Sequence, residues 1–191
     1  MNTFLLLGYR HIVSPGAIDH LLFLLVLVAP YRWRDWRHLL GVASAFTVGH
    51  SITLAMLVTD TVRLPSGLIE FLIPLTIVAA ALANLRRGRA APRGWVAPLL
   101  AACFGLIHGA GFANFLREMF TGSVVLPLFG FNLGIELGQV TVLLAALLVL
   151  TAVDRVVQLR APAAGLWRRA ALTSVLAAGW AALMAAQRLP W

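Results

Sequence analysis

Three histidines, His20, His50 and His108, and two carboxylates, Asp19 and Glu136, are the residues whose types and setting could do chemistry. Each stands in or beside a run with almost no other charge. His11 opens the stretch HIVSPGAIDH, which closes on the pair Asp19–His20 and leads into LLFLLVLVA. Ionisable groups at such positions are costly and mark functional sites. Imidazole with carboxylate is the donor set of borderline divalent ions such as Ni²⁺, Co²⁺, Zn²⁺ and Fe²⁺. Soft Cu⁺ would call for cysteine or methionine, and the chain has only Cys103 and four scattered methionines. Mg²⁺ and Ca²⁺ would call for an oxygen cage with little histidine. A dication in a low-dielectric site needs compensating charge, which Asp19 and Glu136 can supply. Without metal, Asp19 beside a protonated His20 or His50 would form an ion pair, and metal binding would then be coupled to protons.

Two function classes use such a set. In a permease, the cluster is an ion-binding site open to the outside. In an intramembrane metallohydrolase, three histidines hold zinc, and Glu136 or Asp19 acts as general base on the bound water. Ser51, beside His50, adds a nucleophile candidate to the second class. A non-catalytic membrane partner or chaperone subunit is a third class.

The elements that must position these residues follow from composition. Of 191 residues, 61% are hydrophobic and 12% charged, more apolar surface than a soluble domain of this size can bury. Six apolar segments, near 14–30, 38–59, 66–85, 95–117, 124–151 and 168–187, approach the roughly 20 residues that a transmembrane helix needs. Residues 3–12 are expected along the membrane surface, with Pro15 and Gly16 turning the chain inward. The expected fold is all-α: a polytopic bundle of about six transmembrane helices, a single transmembrane domain over 1–191 with 1–13 as an interfacial segment. The first seven residues show no basic n-region and no cleavage site, so no ordinary signal peptide is expected.

All 15 basic residues are arginines. Eleven fall in the loops 31–37, 86–94 and 152–169, and the other four are Arg10, Arg63, Arg117 and Arg188. The positive-inside rule then predicts that both termini face the periplasm. The net charge of +8 is interleaved with apolar segments and forms no continuous basic face, which argues against a nucleic-acid partner. Lipid is the expected surrounding, and a homo-oligomer is left open. The single cysteine excludes an internal disulfide.

With this topology, a rise of about 1.5 Å per residue puts Asp19, His20, His50, Glu70, His108 and Glu136 in the outer half or at the midplane. On the fifth segment, Asn132, Glu136 and Gln139 share a face, and Glu70, Asn132 and Gln139 are candidate supporting polar groups. Pro74 frees the carbonyl of Glu70. Gly105, Gly109 and Gly111 flank His108 and allow close approach of a neighbouring helix. His38, next to Arg37, reads as interfacial. Phe46-x-x-x-His50 and Phe104-x-x-x-His108 form a weak internal echo. The inner halves of the segments offer little polarity beyond Asn84, which is awkward for a transport route.

The segments GYRHIVSPGAIDHLLF, FTVGHSITLAML, IEFLIPLTIVAAALANL, FGLIHGAGFANFL and FNLGIELGQ resemble, in order, those of the HupE/UreJ family of bacterial membrane proteins. The likeness covers about residues 8–142. It implies a multi-pass protein of the bacterial inner membrane that takes up nickel or cobalt. It also implies that His11, Asp19 and His20 belong to the metal site, although the spacing from His11 to Asp19 is longer here than in the family pattern. Together the residues and the resemblance favour a transition-metal permease whose site draws on His11, Asp19, His20, His50, His108 and Glu136. The alternative is a zinc-type hydrolase using the same cluster.

Overall fold

The computed structural model describes residues 2–88, 94–119, 123–160 and 165–190. Arg89 and Arg93 of the second arginine-rich loop lie outside these residues, as does Trp191. Eight α-helices and no strand occur among the described residues. They are α1 (Asn2–Val13), α2 (Ile18–Val28), α3 (Trp36–Val58), α4 (Ser66–Arg87), α5 (Val96–Gly111), α6 (Ala113–Met119), α7 (Val125–Arg160) and α8 (Leu166–Gln187).

α3, α4, α7 and α8 are long and apolar enough to cross a membrane, and α1 with α2 forms a fifth candidate bent by 67°. The bend falls where Pro15 and Gly16 interrupt the helix. Three expectations change here. Residues 3–12, expected on a membrane surface, pack as α1 against α7 and bury Gly8 and Ile12. The fourth segment divides at Phe112 into α5 and the short α6, because the run His108-Gly-Ala-Gly111 weakens the helix there. The fifth segment continues as helix to Arg160, well into the expected loop. Hydropathy marks where lipid ends, and a helix can run on into water.

The termini of these helices sort into two ends of one bundle. At one end lie His11, Ser14, Asp19, His20, Glu70, Phe112 and Arg188 around a common cavity. Close to it Arg117 of α6 reaches Asp60 after α3 at 2.9 Å. At the other end, Arg37, His38 and Trp95 line a second cavity, and Arg169 clasps Asp154 at 2.6 Å, the carbonyl of Ala29 at 3.0 Å and the carbonyl of Tyr31. The described loop arginines of the three rich loops are gathered at this second end. α5 and α6 together therefore run from the arginine end to the histidine end alongside α3. Outward faces carry exposed leucines and valines such as Val48, Leu99, Leu148 and Leu176, which is surface for lipid.

Two helix crossings hold the site, and both rest on glycine. In α3 and α5, a Cβ on Gly49 would overlap the carbonyl oxygen of Ala102, one on Gly105 that of Phe46, and one on Gly109 that of His50. In α1 and α7, a Cβ on Gly8 would overlap the carbonyl oxygen of Phe131, and one on Gly134 that of Leu5. The registers correspond. A shift of 41 positions carries Leu5, Gly8 and Tyr9 onto Phe46, Gly49 and His50, and a shift of 29 carries Phe131, Gly134 and Gly138 onto Ala102, Gly105 and Gly109. Backbone-to-backbone contact of this kind is how helices associate where burial from water gives no drive. The structural repeat thus relates α1 to α3 and α7 to α5, whereas the sequence echo relates α3 to α5.

Candidate metal site

The site is assembled by the bend and by the glycine crossings. The bend after Val13 folds His11 at the end of α1 back over His20 at the start of α2, with ring centroids 4.6 Å apart. The α3–α5 crossing brings His50 under them, at centroid distances of 6.1 Å from His11 and 6.4 Å from His20. One ligand nitrogen from each of His11, His20 and His50 lies within 4.8 Å of the others. A tetrahedral ion at about 2.1 Å from each nitrogen needs them about 3.4 Å apart, so small ring rotations close the set. His50 is fully buried and His108 is 1% exposed. Nε2 of His11, Nε2 of His20 and both ring nitrogens of His50 have no hydrogen-bond partner among the described residues. Buried polar atoms are normally paired, and one unpartnered nitrogen from each of the three rings is what a metal ion would satisfy.

His108 stands beside this trio, its ring 5.3 Å from that of His20. Its Nε2 is 2.9 Å from the hydroxyl of Thr76, whose oxygen also lies 2.7 Å from the Ile73 carbonyl. Its Nδ1 is unpartnered. If the Thr76 hydroxyl donates to that carbonyl, the histidine carries its proton on Nε2 and Nδ1 is left as a free lone pair, the tautomer a fourth ligand would need. Phe23, Phe46 and Phe112 pack against the imidazoles, Phe112 from the wall of the cavity.

The carboxylates do not join the trio directly. Asp19 lines the same cavity, of about 500 Å³, but its Oδ2 accepts from Arg188 at 3.0 Å. Glu70 lines that cavity too and is exposed. Glu136 accepts from the hydroxyl of Ser44, two turns along α3 from His50 towards the arginine end. One turn from His50, Thr47 bonds Gln139 at 3.1 Å. Asn132 keeps a buried Oδ1 without a partner. Ser51 donates to the carbonyl of Thr47 at 2.7 Å, the usual arrangement of a helix serine, which leaves it unaligned as a nucleophile. His38 sits at the arginine end, 5.7 Å from the Tyr31 ring, away from the site.

Ser44, Thr76 and Arg188 were not singled out from sequence. Serine and threonine in apolar helices are too common to flag. Arg188 carried a readable signal: a cation at the same end of the bundle as Asp19.

The family profile described as HupE / UreJ protein matches residues 1–185. That extends the likeness through α1 and nearly all of α8. No curated protein and no solved structure matches the chain. A chain of apolar helices that brings His11, His20 and His50 together, matched over nearly its whole length, belongs to the HupE/UreJ family of membrane proteins.

Proposed function

We propose that the protein is a divalent transition-metal permease of the nickel/cobalt type, a single transmembrane domain of the bacterial inner membrane. The observation that carries this reading is the trio His11, His20 and His50, each with an unpartnered ring nitrogen and mutually within 4.8 Å, of which His11 and His20 line an open cavity of about 500 Å³ and His50 lies buried behind them. His11, His20 and His50 are the primary ligands, and His108 supplies a fourth nitrogen. Asp19 compensates the ion's charge once Arg188 lets go, and Glu136 acts further along the route. Nickel, cobalt and zinc all suit this donor set.

The cavity faces the periplasm and the arginine end faces the cytoplasm. The bias of arginines to one end supports this orientation, and the exposed Trp33, Trp36, Trp95 and Trp167 mark that same end as a membrane interface. Counting α1 with α2 as one span and α5 with α6 as another, the chain crosses six times and both termini are periplasmic. The hydrolase reading needs a carboxylate beside the imidazoles. Glu136, the first general-base candidate, is engaged with Ser44 about two turns along α3 from His50, and the family match points to transport, so transport is favoured.

The test is uptake of radioactive Ni²⁺ or Co²⁺ into liposomes holding the purified protein. Transport that saturates and disappears in His50→Ala is expected. Tight binding without uptake under any proton gradient would sink the permease.

A further inference from the structure

On the permease reading, an ion leaving the imidazoles must travel towards the arginine end. Two hydrogen-bonded pairs between α3 and α7 occupy that direction. Thr47 with Gln139 lies about one turn below His50, and Ser44 with Glu136 about two turns below, or roughly 4.5 and 9 Å along the helix. Gln139 is 1% exposed, and its Nε2 has no partner among the described residues. The amide orientation is set by its neighbours. Thr47 has one hydroxyl proton, and its oxygen lies 3.3 Å from the carbonyl of Ala43. In one orientation the Thr47 hydroxyl donates to Oε1 of Gln139, and the amide N–H is the unpartnered group. With the hydroxyl proton on the Ala43 carbonyl and the amide turned over, the N–H donates to Thr47 and Oε1 becomes the free atom. In that second orientation the buried oxygen is a ligand for a cation. Ser44 also lines the cavity of about 450 Å³ at the arginine end, with Arg37, His38 and Trp95.

We propose that Ser44, Thr47, Glu136 and Gln139 form a second, oxygen-lined position for the divalent ion, between the imidazole cluster and the cytoplasmic cavity. The chemistry fits a passing station. Two hydroxyls, an amide oxygen and one carboxylate bind nickel or cobalt more weakly than three imidazoles do, and a route must hold its ion weakly enough to release it. The Glu136 carboxylate supplies negative charge at this position, as Asp19 does at the imidazole cluster.

The experiment compares wild type with Glu136→Gln, a change that can keep the bond to Ser44. Ni²⁺ binding to purified protein in detergent is measured by equilibrium dialysis, and Ni²⁺ uptake in liposomes. Wild type is expected to bind a tight ion and a weaker second one. Glu136→Gln is expected to keep the tight ion, lose the second and reduce uptake at least about tenfold. Gln139→Met, which leaves the Glu136–Ser44 pair in place, repeats the comparison if Glu136→Gln does not fold. A single ion in wild type, or unchanged uptake in the variants, overturns the second position and makes these residues an interhelical clasp. Wild type that binds two ions but shows no uptake sinks the permease reading and keeps the second position, so the two failures are distinct.

Discussion

Arg188 is paired with Asp19, so removing it is expected to tighten metal binding. The guanidinium at the end of α8 lies 3.0 Å from Oδ2 of Asp19 at the start of α2, with side-chain exposures of 33% and 20%. Partly exposed pairs of this kind contribute up to about 1 kcal/mol. An ion that recruits Asp19 must give up that pair, so Arg188→Gln should return up to about 1 kcal/mol to binding, an affinity gain of about fivefold. The assay is calorimetric titration with Ni²⁺ in detergent at pH 7 and physiological salt, where screening is moderate. Adding Asp19→Asn to Arg188→Gln should abolish the gain, since nothing is then left to release. Unchanged or weaker binding in Arg188→Gln refutes the reasoning, as does a gain that survives the loss of the Asp19 charge.

Further outcomes are expected. His20→Ala and His50→Ala should each weaken Ni²⁺ binding by more than about 100-fold, since loss of even an outer-shell partner reaches that range, while His38→Ala should bind normally; elemental analysis after dialysis measures both. Gly49→Ala drives a Cβ into the backbone of Ala102, which no side-chain motion relieves, and should cost about 3 kcal/mol of stability. Gly179→Ala on α8, where a Cβ meets nothing within 4 Å, should melt at or above the wild-type temperature. Asp60 is held below the usual carboxylate range, first by its hydrogen bonds from Arg63, with Arg117 adding to the effect. Its stabilising contribution is therefore present above the unfolded value near 4 and lost as pH falls through the lower folded value. The melting difference between wild type and Asp60→Asn should shrink between pH 6 and strongly acidic pH. A periplasm-active reporter fused after Pro190 should be active, and activity only of a cytoplasmic reporter would reverse the orientation.

Much of this protein follows from the order of its residues. The excess of apolar side chains forces helices, because lipid satisfies no backbone polar group. Arginine placement alone sorts the loops into two groups, and the tertiary structure gathers the described members of the rich group at one end of the bundle. His20, His50 and His108 stand out because an imidazole in an apolar helix has few innocent uses. What sequence could not supply is distance between residues far apart in the chain. His11 lies in a segment that reads as interfacial and enters the site only through the resemblance, until the 67° bend folds it onto His20. Glu136 reads as one more ligand at the histidines' depth, yet the crossing of α3 and α7 hands it to Ser44. Asp19 reads as the ion-pair partner of His20 or His50, yet the cation it meets is Arg188, 169 positions later. The bend and the helix crossings decide these partnerships, and at the α3–α5 and α1–α7 crossings glycine fixes the register. The glycine crossings set which turn of one helix lies over which turn of the next by the fit of backbone against backbone, and no periodicity in a single helix encodes that register.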